Sequence, residues 1–586
     1  MLKVYDDINI EETKDNYSVV KINKNGKNIY IGSKYNMENE INKFLKKAKD
    51  TKKDIESVVF IVYGFASGDH IKRLREEFPH NEIIVFEPNA NLYEYLLEKI
   101  DWIQDDEKLH IISCDEEELG NEINKYIDEI KMSYMEIIDF SNYATIYKEE
   151  YKKFIKQFRT VIIDIVFNRN TALVASKRWF ETLISNFKYI AEGIPIDEYK
   201  DYYKGKPAVI VSAGPSLDKN IDELKKLDDQ MVVICGGRTL KSVMNKDIKA
   251  HLLVSVDPYE IQYNLAKGYV ENYNGPLLFY EGTNEKVVSN HPGDKIFYTN
   301  LNCIRDMAER SIEPLLQGGS VAHIMVDYAI LAGCNPIIFI GQDLAYTNDT
   351  IYSKVADKQE GPTSFEKTKK NGDIYVEDVN GGKVRTSLSL DIFRRTFEEI
   401  IKRNPHIKFI NATEGGARIK GSIEMPLKEA IKIYAKEKIP DIVRTDYNVD
   451  LKRKSIELLE KCETSGKYII KKCKKALSLL LELKQAYIVN DYSKVNSILQ
   501  RMDKIDEQIE ESYKDIEVLN SLIYPIVYIT LTSKKVVTDK PDMTETDTII
   551  NQNNKFYSQI QETLEKALEK ISELIMEMKE QKGKKL

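Results

Sequence analysis

Apolar positions along the chain change rhythm three times. In the first 165 residues, short apolar runs alternate with charged stretches of helical period. Val58-Val59-Phe60-Ile61-Val62-Tyr63 reads as a buried strand, followed by the turn Gly64-Phe65-Ala66-Ser67-Gly68 and a helical pattern. The strand Ile83-Ile84-Val85-Phe86 ends at Glu87, and a further step ends at His110-Ile111-Ile112-Ser113. Strands that alternate with helices argue for a parallel, doubly wound sheet. A helical stretch from about Glu149 to Ile190 bridges to the second zone, ending in the breakers Gly193-Ile194-Pro195 and Lys204-Gly205-Lys206-Pro207. From Pro207 to about Gly421 the alternation resumes, with strands expected at Ala208–Ser212, Met231–Cys235, Leu252–Val256, Leu277–Tyr280, Lys295–Tyr298, Pro336–Ile340 and Lys408–Ile410.

The third zone has almost no glycine and reads at a period of 3.6. Ile498, Met502, Ile505, Ile509, Tyr513, Ile516 and Leu519 step by three or four as one helical stripe, and Leu480, Leu481 and Leu483 sit in another. A bundle or long hairpin is expected here, with a loop over Ser533–Asp547 and a frayed tail over Glu580–Leu586. The division that follows is an α/β N-terminal Rossmann-like domain (1–165), a helical linker (166–205), a central α/β domain that carries the chemistry (206–424) and an all-α helical domain (425–586).

Composition narrows the class. A length of 586 residues suits three or four domains of about 100–200 residues each. With 42% apolar and 31% charged residues the balance is that of a globular protein and excludes wholesale disorder, and 86 basic against 94 acidic side chains, a formal charge of −8, speaks against a nucleic-acid binder. Cys114, Cys235, Cys303, Cys334, Cys462 and Cys473 form no CxxC pair, so neither a zinc ribbon nor a disulfide framework is indicated. No apolar run approaches the roughly twenty residues of a membrane span, and MLKVYDDINI puts acids where a signal peptide is basic and apolar. The expectation is a cytoplasmic protein without a membrane partner.

The glycine turn after Tyr63, with Glu87 about 20 residues on, is part of a dinucleotide or methyl-donor pattern, but the turn is G-x-x-x-G, not G-x-G-x-x-G. The other reading is a tight turn that needs glycine for its backbone. The richer chemistry lies in the second zone. Val209-Ile210-Val211-Ser212-Ala213-Gly214-Pro215-Ser216-Leu217 runs a strand into a turn, where Gly214 admits a ligand to the backbone. Ser216 is placed to cap the next helix, leaving amides for a phosphate. Val233-Ile234-Cys235-Gly236-Gly237-Arg238 ends a second strand in glycines, and Val254-Ser255-Val256-Asp257-Pro258 ends a third in a carboxylate. That is where open α/β sheets bind ligands, although Asp257 as a simple cap is the competing reading. Gln317-Gly318-Gly319-Ser320-Val321-Ala322-His323 is a second anion-binding helix start. His323, in its first turn, is a general base or a structural histidine. Gly341-Gln342-Asp343-Leu344-Ala345-Tyr346, with Tyr352 nearby, and Asn411-Ala412-Thr413-Glu414-Gly415-Gly416-Ala417 close the set.

So many strand ends bearing Gly, Ser, Asp or Glu converge on one crevice in a single sheet, which points to a nucleotide or sugar-nucleotide. There is no G-x-x-x-x-G-K-[ST], which disfavours a P-loop kinase, and no D-x-D to hold a metal under a diphosphate. A donor with one phosphate can be neutralised by helix N-termini, tyrosines and an arginine.

Taken in order, KGKPAVIVSAGPSLDKNIDEL, SVDP, GGSVAH, GCNPIIFIGQDLAYT and FINATEGGARIKG resemble the motility-associated factor (Maf) family of flagellin glycosyltransferases over about 200–425. The resemblance implies a central sialyltransferase-like domain. Its expected activity is transfer of a nonulosonic acid, of the pseudaminic or legionaminic kind, from a CMP-activated donor to Ser or Thr of flagellin, without a metal cofactor. By motif, Gly214, Pro215, Ser216, Asp257, Gly319, Ser320, Asp343, Glu414 and Gly415 become the nucleotide and donor site, to which the strand-end reading adds Gly237, Gly318 and Tyr346. An inverting reaction needs a base for the acceptor hydroxyl, expected from Asp257, Asp343 or Glu414, and donors for the leaving phosphate, expected from the Gly214–Ser216 and Gly319–Ser320 amides with Tyr346. The same domain also resembles archaeal pterin pyrophosphokinases. A nucleotide-dependent pyrophosphokinase and a non-enzymatic flagellin-binding factor therefore stand as alternatives. The C-terminal helices are expected to hold the acceptor or to cap the central sheet.

Overall fold

A computed structural model of the chain describes residues 8–24, 26–51, 57–99, 106–114, 119–227, 229–309, 315, 319–347, 350–354, 356, 374–445, 447, 449–533 and 543–580. It forms two compact units: Met1–Val174 with Pro525–Phe556, and Ala175–Tyr524 with Tyr557–Leu586. The 45-residue helix Lys148–Glu192 belongs to the first unit up to Val174 and to the second from Ala175.

The first unit begins with an antiparallel sheet of β1 (Ile8–Glu12), β2 (Ser18–Lys24) and β3 (Lys27–Ile31). A parallel sheet follows, built from β4 (Val59–Tyr63), β5 (Ile83–Glu87), β6 (Leu109–Ser113) and β7 (Met135–Asp139) in the order β6-β5-β4-β7. Its strand order reverses between β4 and β7, where a Rossmann-like sheet opens its crevice. Here the crevice holds a tyrosine. A Cβ on Gly64 (φ +98°) would lie 2.3 Å from the Tyr143 ring. The Tyr143 hydroxyl donates to Glu87 Oε2 (2.7 Å) and accepts from the Ala66 amide (2.8 Å). Glu87 also accepts from the Phe65 and Asn89 amides, and burial lifts its carboxyl to about 7. Of the two readings of this glycine turn, the geometry favours packing: the turn is glycine because an aromatic ring lies against it.

The second unit is built on a sheet that is nine-stranded and parallel among the described residues. Its strands are β8 (Ile194–Pro195), β9 (Ala208–Val211), β10 (Val232–Gly236), β11 (Leu252–Val254), β12 (Leu277–Phe279), β13 (Lys295–Phe297) and β14 (Ile337–Ile340). A separate antiparallel hairpin, β15 (Ile374–Glu377) and β16 (Lys383–Thr386), precedes the last two strands, β17 (Phe409–Asn411) and β18 (Ile423–Glu424). The order is β18-β17-β14-β9-β10-β11-β12-β13-β8. Every residue of β9 and β14 is fully buried, as all-apolar runs must be when helices cover both faces. The register brings the ends level: Val211 pairs with Ile340 on one side and Cys235 on the other. The chain steps outward from β9 to β13 and returns to β14 on the opposite flank. The order therefore reverses between β9 and β14.

The helical region belongs to this same unit apart from residues 525–556. Leu451–Ile488 and Tyr492–Tyr513 form an antiparallel pair, and Gly466 lets Met543–Glu580 approach so closely that a Cβ there would lie 2.9 Å from Leu568. Glu517 accepts from the amides of Asn302 and Cys303, tying the helices to the central domain. Two details differ from the sequence reading. The stripe from Ile498 to Leu519 is broken after Tyr513, where Ile516 leaves helical geometry (φ −113°, ψ 25°). Leu480 and Leu483 are buried but Leu481 is 62% exposed, because consecutive helical residues point about 100° apart. Of the expected loop at 533–547, residues 534–542 lie outside the described residues, while Ser533 and Met543–Asp547 are helical. The tail 581–586 also lies outside. Among the described residues no helix is long and apolar enough to cross a membrane.

Candidate functional site

The ends of β9, β10, β11 and β14 open onto a pocket of about 250 Å³, close to the lower end of ligand-site volumes, about 300–1,000 Å³. It sits at the strand-order reversal, where an open parallel sheet leaves a crevice. Sequence-expected residues that line it are Gly214, Gly237, Asp257, Gly319, Ser320 and Asp343. Pro215, Ser216, Tyr346, Glu414 and Gly415 do not line it, and Gly318 lies outside the described residues.

Two helix N-termini face the pocket. Gly237, Arg238 and Thr239 begin the helix Gly237–Met244, and Ser320 caps the helix Val321–Leu331 by accepting from the Ala322 amide. Gly319 reaches this cap with φ +75°, a left-handed conformation that suits glycine. Free amides and the helix dipole make both ends attractive to an anion. Arg238 adds a full charge. Its guanidinium lies 3.9 Å from the centre of the Tyr352 ring, and its charge acts on the Asp257 carboxyl. The sequence reading named Arg238 only as the end of a motif. Its signal was position, one residue into a helix after a strand-end glycine pair.

The three expected carboxylates part company. Asp257 follows β11, half-buried on the pocket wall. Its carboxyl makes no hydrogen bond among the described residues. Burial raises its pKa, and the nearby Arg238 pulls the other way. An unpartnered carboxyl of raised pKa in a cleft is suited to take a proton.

Asp343 is 2% exposed and committed to the protein. Ser216 donates to it through its amide (3.2 Å to each oxygen) and its hydroxyl (2.6 Å to Oδ2). Burial raises the Asp343 pKa and the Ser216 bonds oppose it. This corrects the expected role of Ser216. It occupies the N-cap position, but its side chain makes no cap bond, and the helix it precedes, Leu217–Asn220, is a single turn. A protein carboxylate takes the place assigned to phosphate. Gly214 is required by the same contact: a Cβ there would lie 2.2 Å from Asp343 Oδ2 and 2.4 Å from the Gly341 oxygen.

The third strand-end motif serves this corner too. A Cβ on Gly416 would lie 2.2 Å from the Asp343 carbonyl oxygen, and one on Gly415 would lie 3.8 Å from Asp343 Oδ1. The Thr413 hydroxyl accepts from the Gln342 amide, and Asn220 donates to the Ala412 oxygen. Glu414 itself points to solvent, offering only its carbonyl to Lys219. Tyr346 is buried under Arg385, 4.4 Å from ring centre to guanidinium, with its amide on the Arg385 oxygen. The pocket tyrosine is Tyr352. His323 is fully buried, with Nε2 against the Phe393 oxygen (3.0 Å), which settles it as a core residue. The lining also includes the apolar side chains of Met325, Ile351, Leu390 and Phe393. The lining combines groups that can hold an anionic ester, apolar side chains that can pack a ligand and a carboxylate that can take a proton.

The fold recurs in a solved MAf glycosyltransferase from Magnetospirillum magneticum AMB-1, with a TM-score of 0.51 and 13% sequence identity over 98% of this chain and 92% of that one. The α/β architecture with a helical C-terminal region is thus shared with that structure. A family model described as 6-hydroxymethylpterin diphosphokinase MptE-like matches residues 181–349. No curated protein matches the chain in sequence.

Proposed function

We propose that this chain is a glycosyltransferase that moves a nonulosonic sugar from its CMP-activated donor to Ser or Thr hydroxyls of flagellin in the cytoplasm, with inversion and without a metal. The observation that carries the reading is the pairing of an anion-binding end, made of two helix N-termini and Arg238, with one unpartnered carboxylate, Asp257, in a pocket at the sheet's reversal point. The shared fold supports it. The leaving CMP phosphate rests against Arg238 and the amides at Gly237 and Ser320. Asp257 takes the acceptor proton as the glycosidic bond forms on the face opposite the departing phosphate. Asp343, on the pocket wall, holds the β9 and β14 ends together through Ser216. The C-terminal helices are the proposed dock for flagellin.

One observation favours a second reading. The diphosphokinase-like match spans 181–349 and so takes in Gly214, Asp257, Gly319 and Asp343. Under that reading the pocket holds ATP with Mg²⁺ and passes a diphosphate to a pterin alcohol. Calorimetric titration with CMP and with ATP, each with and without chelator, separates the two. The glycosyltransferase reading expects CMP binding that chelator does not change, and sugar transfer to flagellin seen as an intact-mass increase. ATP binding that needs Mg²⁺, with no CMP binding, overturns it.

A further inference from the structure

We infer that Arg178 and Asn284 are positioning residues for the Asp257 carboxylate, clamping the peptide that carries it. The inference rests on Asp257 being the base. That carboxyl makes no hydrogen bond of its own among the described residues, so its place on the pocket wall is fixed by the backbone on either side. Pro258 restricts the conformation of Asp257 from the following position. The remaining restraints are hydrogen bonds from two other elements. The Asn284 backbone amide donates to the Asp257 carbonyl oxygen (2.9 Å) and its side-chain Nδ2 to the Pro258 carbonyl oxygen (3.2 Å). Arg178 Nε donates to the same Pro258 oxygen (2.8 Å), while its Nη2 pairs with Glu285. On the other side, the Thr283 hydroxyl donates to the Ser255 oxygen (2.8 Å).

The turn after β12 that supplies Thr283 and Asn284 is itself pinned. Asn186 Nδ2 donates to the Glu281 oxygen (3.1 Å) and the Thr283 oxygen (2.6 Å). Asn186, Thr283 and Asn284 are all fully buried. Arg178 and Asn186 lie eight residues apart on the helix Lys148–Glu192, about 12 Å along its axis. One helix thus reaches the ligand-binding end of the sheet at two points. The Pro258 oxygen has two lone pairs, and here both are used by side chains from other elements, Asn284 and Arg178. The double engagement of the Pro258 oxygen holds the segment immediately after the base in one place.

The test uses the full chain with Arg178→Gln, Arg178→Lys and Asn284→Asp. The last keeps an acceptor for the Lys286 amide, which Asn284 caps, and removes the donor to Pro258. Three quantities are read: amide exchange by mass spectrometry in peptides holding 254–259 and 280–286, calorimetric CMP affinity, and steady-state transfer from a CMP-sugar. Arg178→Gln and Asn284→Asp are expected to speed exchange in those peptides. CMP affinity and the donor KM should stay within about twofold while kcat falls about 10²-fold, the scale of a small misplacement of a catalytic group. Arg178→Lys, which keeps the charge opposite Glu285, should recover part of kcat. Wild-type kcat with loosened peptides overturns the inference, as does a kcat loss matched by an equal loss of CMP affinity. If the wild type transfers no sugar from any CMP donor, it is the proposed function that fails. Exchange then decides the clamp alone, and unchanged exchange in the variants refutes it.

Discussion

Removing Asp343 should cost stability, and removing Asp257 should cost only chemistry. Asp343 is 2% exposed and accepts from two Ser216 donors, the amide at 3.2 Å and the hydroxyl at 2.6 Å. Hydrogen bonds to a charged partner contribute about 1.5–3 kcal/mol each, and two give about 3–6 kcal/mol. Burial also penalises the ionised carboxyl, which places the expected loss for Asp343→Ala at the low end, about 3 kcal/mol. In the unit Ala175–Tyr524 with Tyr557–Leu586, at about 2.1 cal/mol/K per residue, a loss of that size lowers the melting temperature by about 4 °C. It also stays below the roughly 5–15 kcal/mol that holds a domain together, so the variant folds. Asp257 has no hydrogen-bond partner to strand, so Asp257→Asn should change stability by no more than about 0.5 kcal/mol. Its transfer rate should fall by about 10²–10⁴-fold, the worth of a general base. Thermal unfolding followed by circular dichroism, paired with intact-mass analysis of flagellin, reads both. The reasoning is refuted if Asp343→Ala melts with the wild type yet loses all transfer, or if Asp257→Asn melts several degrees early or modifies flagellin at the wild-type rate.

Other outcomes follow from the same geometry. Arg238→Ala should weaken CMP binding by roughly 10–100-fold, the worth of one charge-assisted contact, and calorimetry at fixed salt reads it. Glu414→Ala should leave donor affinity and transfer near wild type, since the side chain faces solvent outside the pocket; a hundredfold loss of transfer would return it to the site. Glu87 has an ordinary value of 4.5 and a folded value of about 7. Its protonated form is favoured by folding, so this stabilisation is complete below about pH 4.5 and is lost as pH rises through about 7. Glu87→Gln should therefore lose less stability than the wild type between about pH 5 and 8.5, by on the order of 3 kcal/mol, and parallel melting curves at the two pH values would contradict the burial of that carboxyl.

Much of the architecture follows from the sequence alone. A strand of a parallel sheet covered on both faces must be apolar at every position, so Ala208–Val211 and Ile337–Ile340 announce themselves as uninterrupted runs, and Gly or Pro marks where each ends. The long helices are equally legible, because burying one face of a helix imposes a period that survives in the sequence. The same local logic placed Gly237, Asp257, Gly319 and Ser320 at one end of the sheet. Hydrogen-bond partners at a strand end come from distant segments, and no local pattern records them. Ser216 has the spacing of a helix cap, but Asp343, 127 residues away, takes its hydroxyl and amide. Gly214 looks like room for a ligand, yet the space it leaves is filled by the Asp343 carboxyl and the Gly341 oxygen. The Gly64 turn looks like a cofactor loop until Tyr143 is placed against it. A glycine reports a close approach to the backbone or a left-handed conformation. Whether a ligand, a carboxylate or an aromatic ring makes that approach is decided by which strands become neighbours, and so only by the tertiary structure.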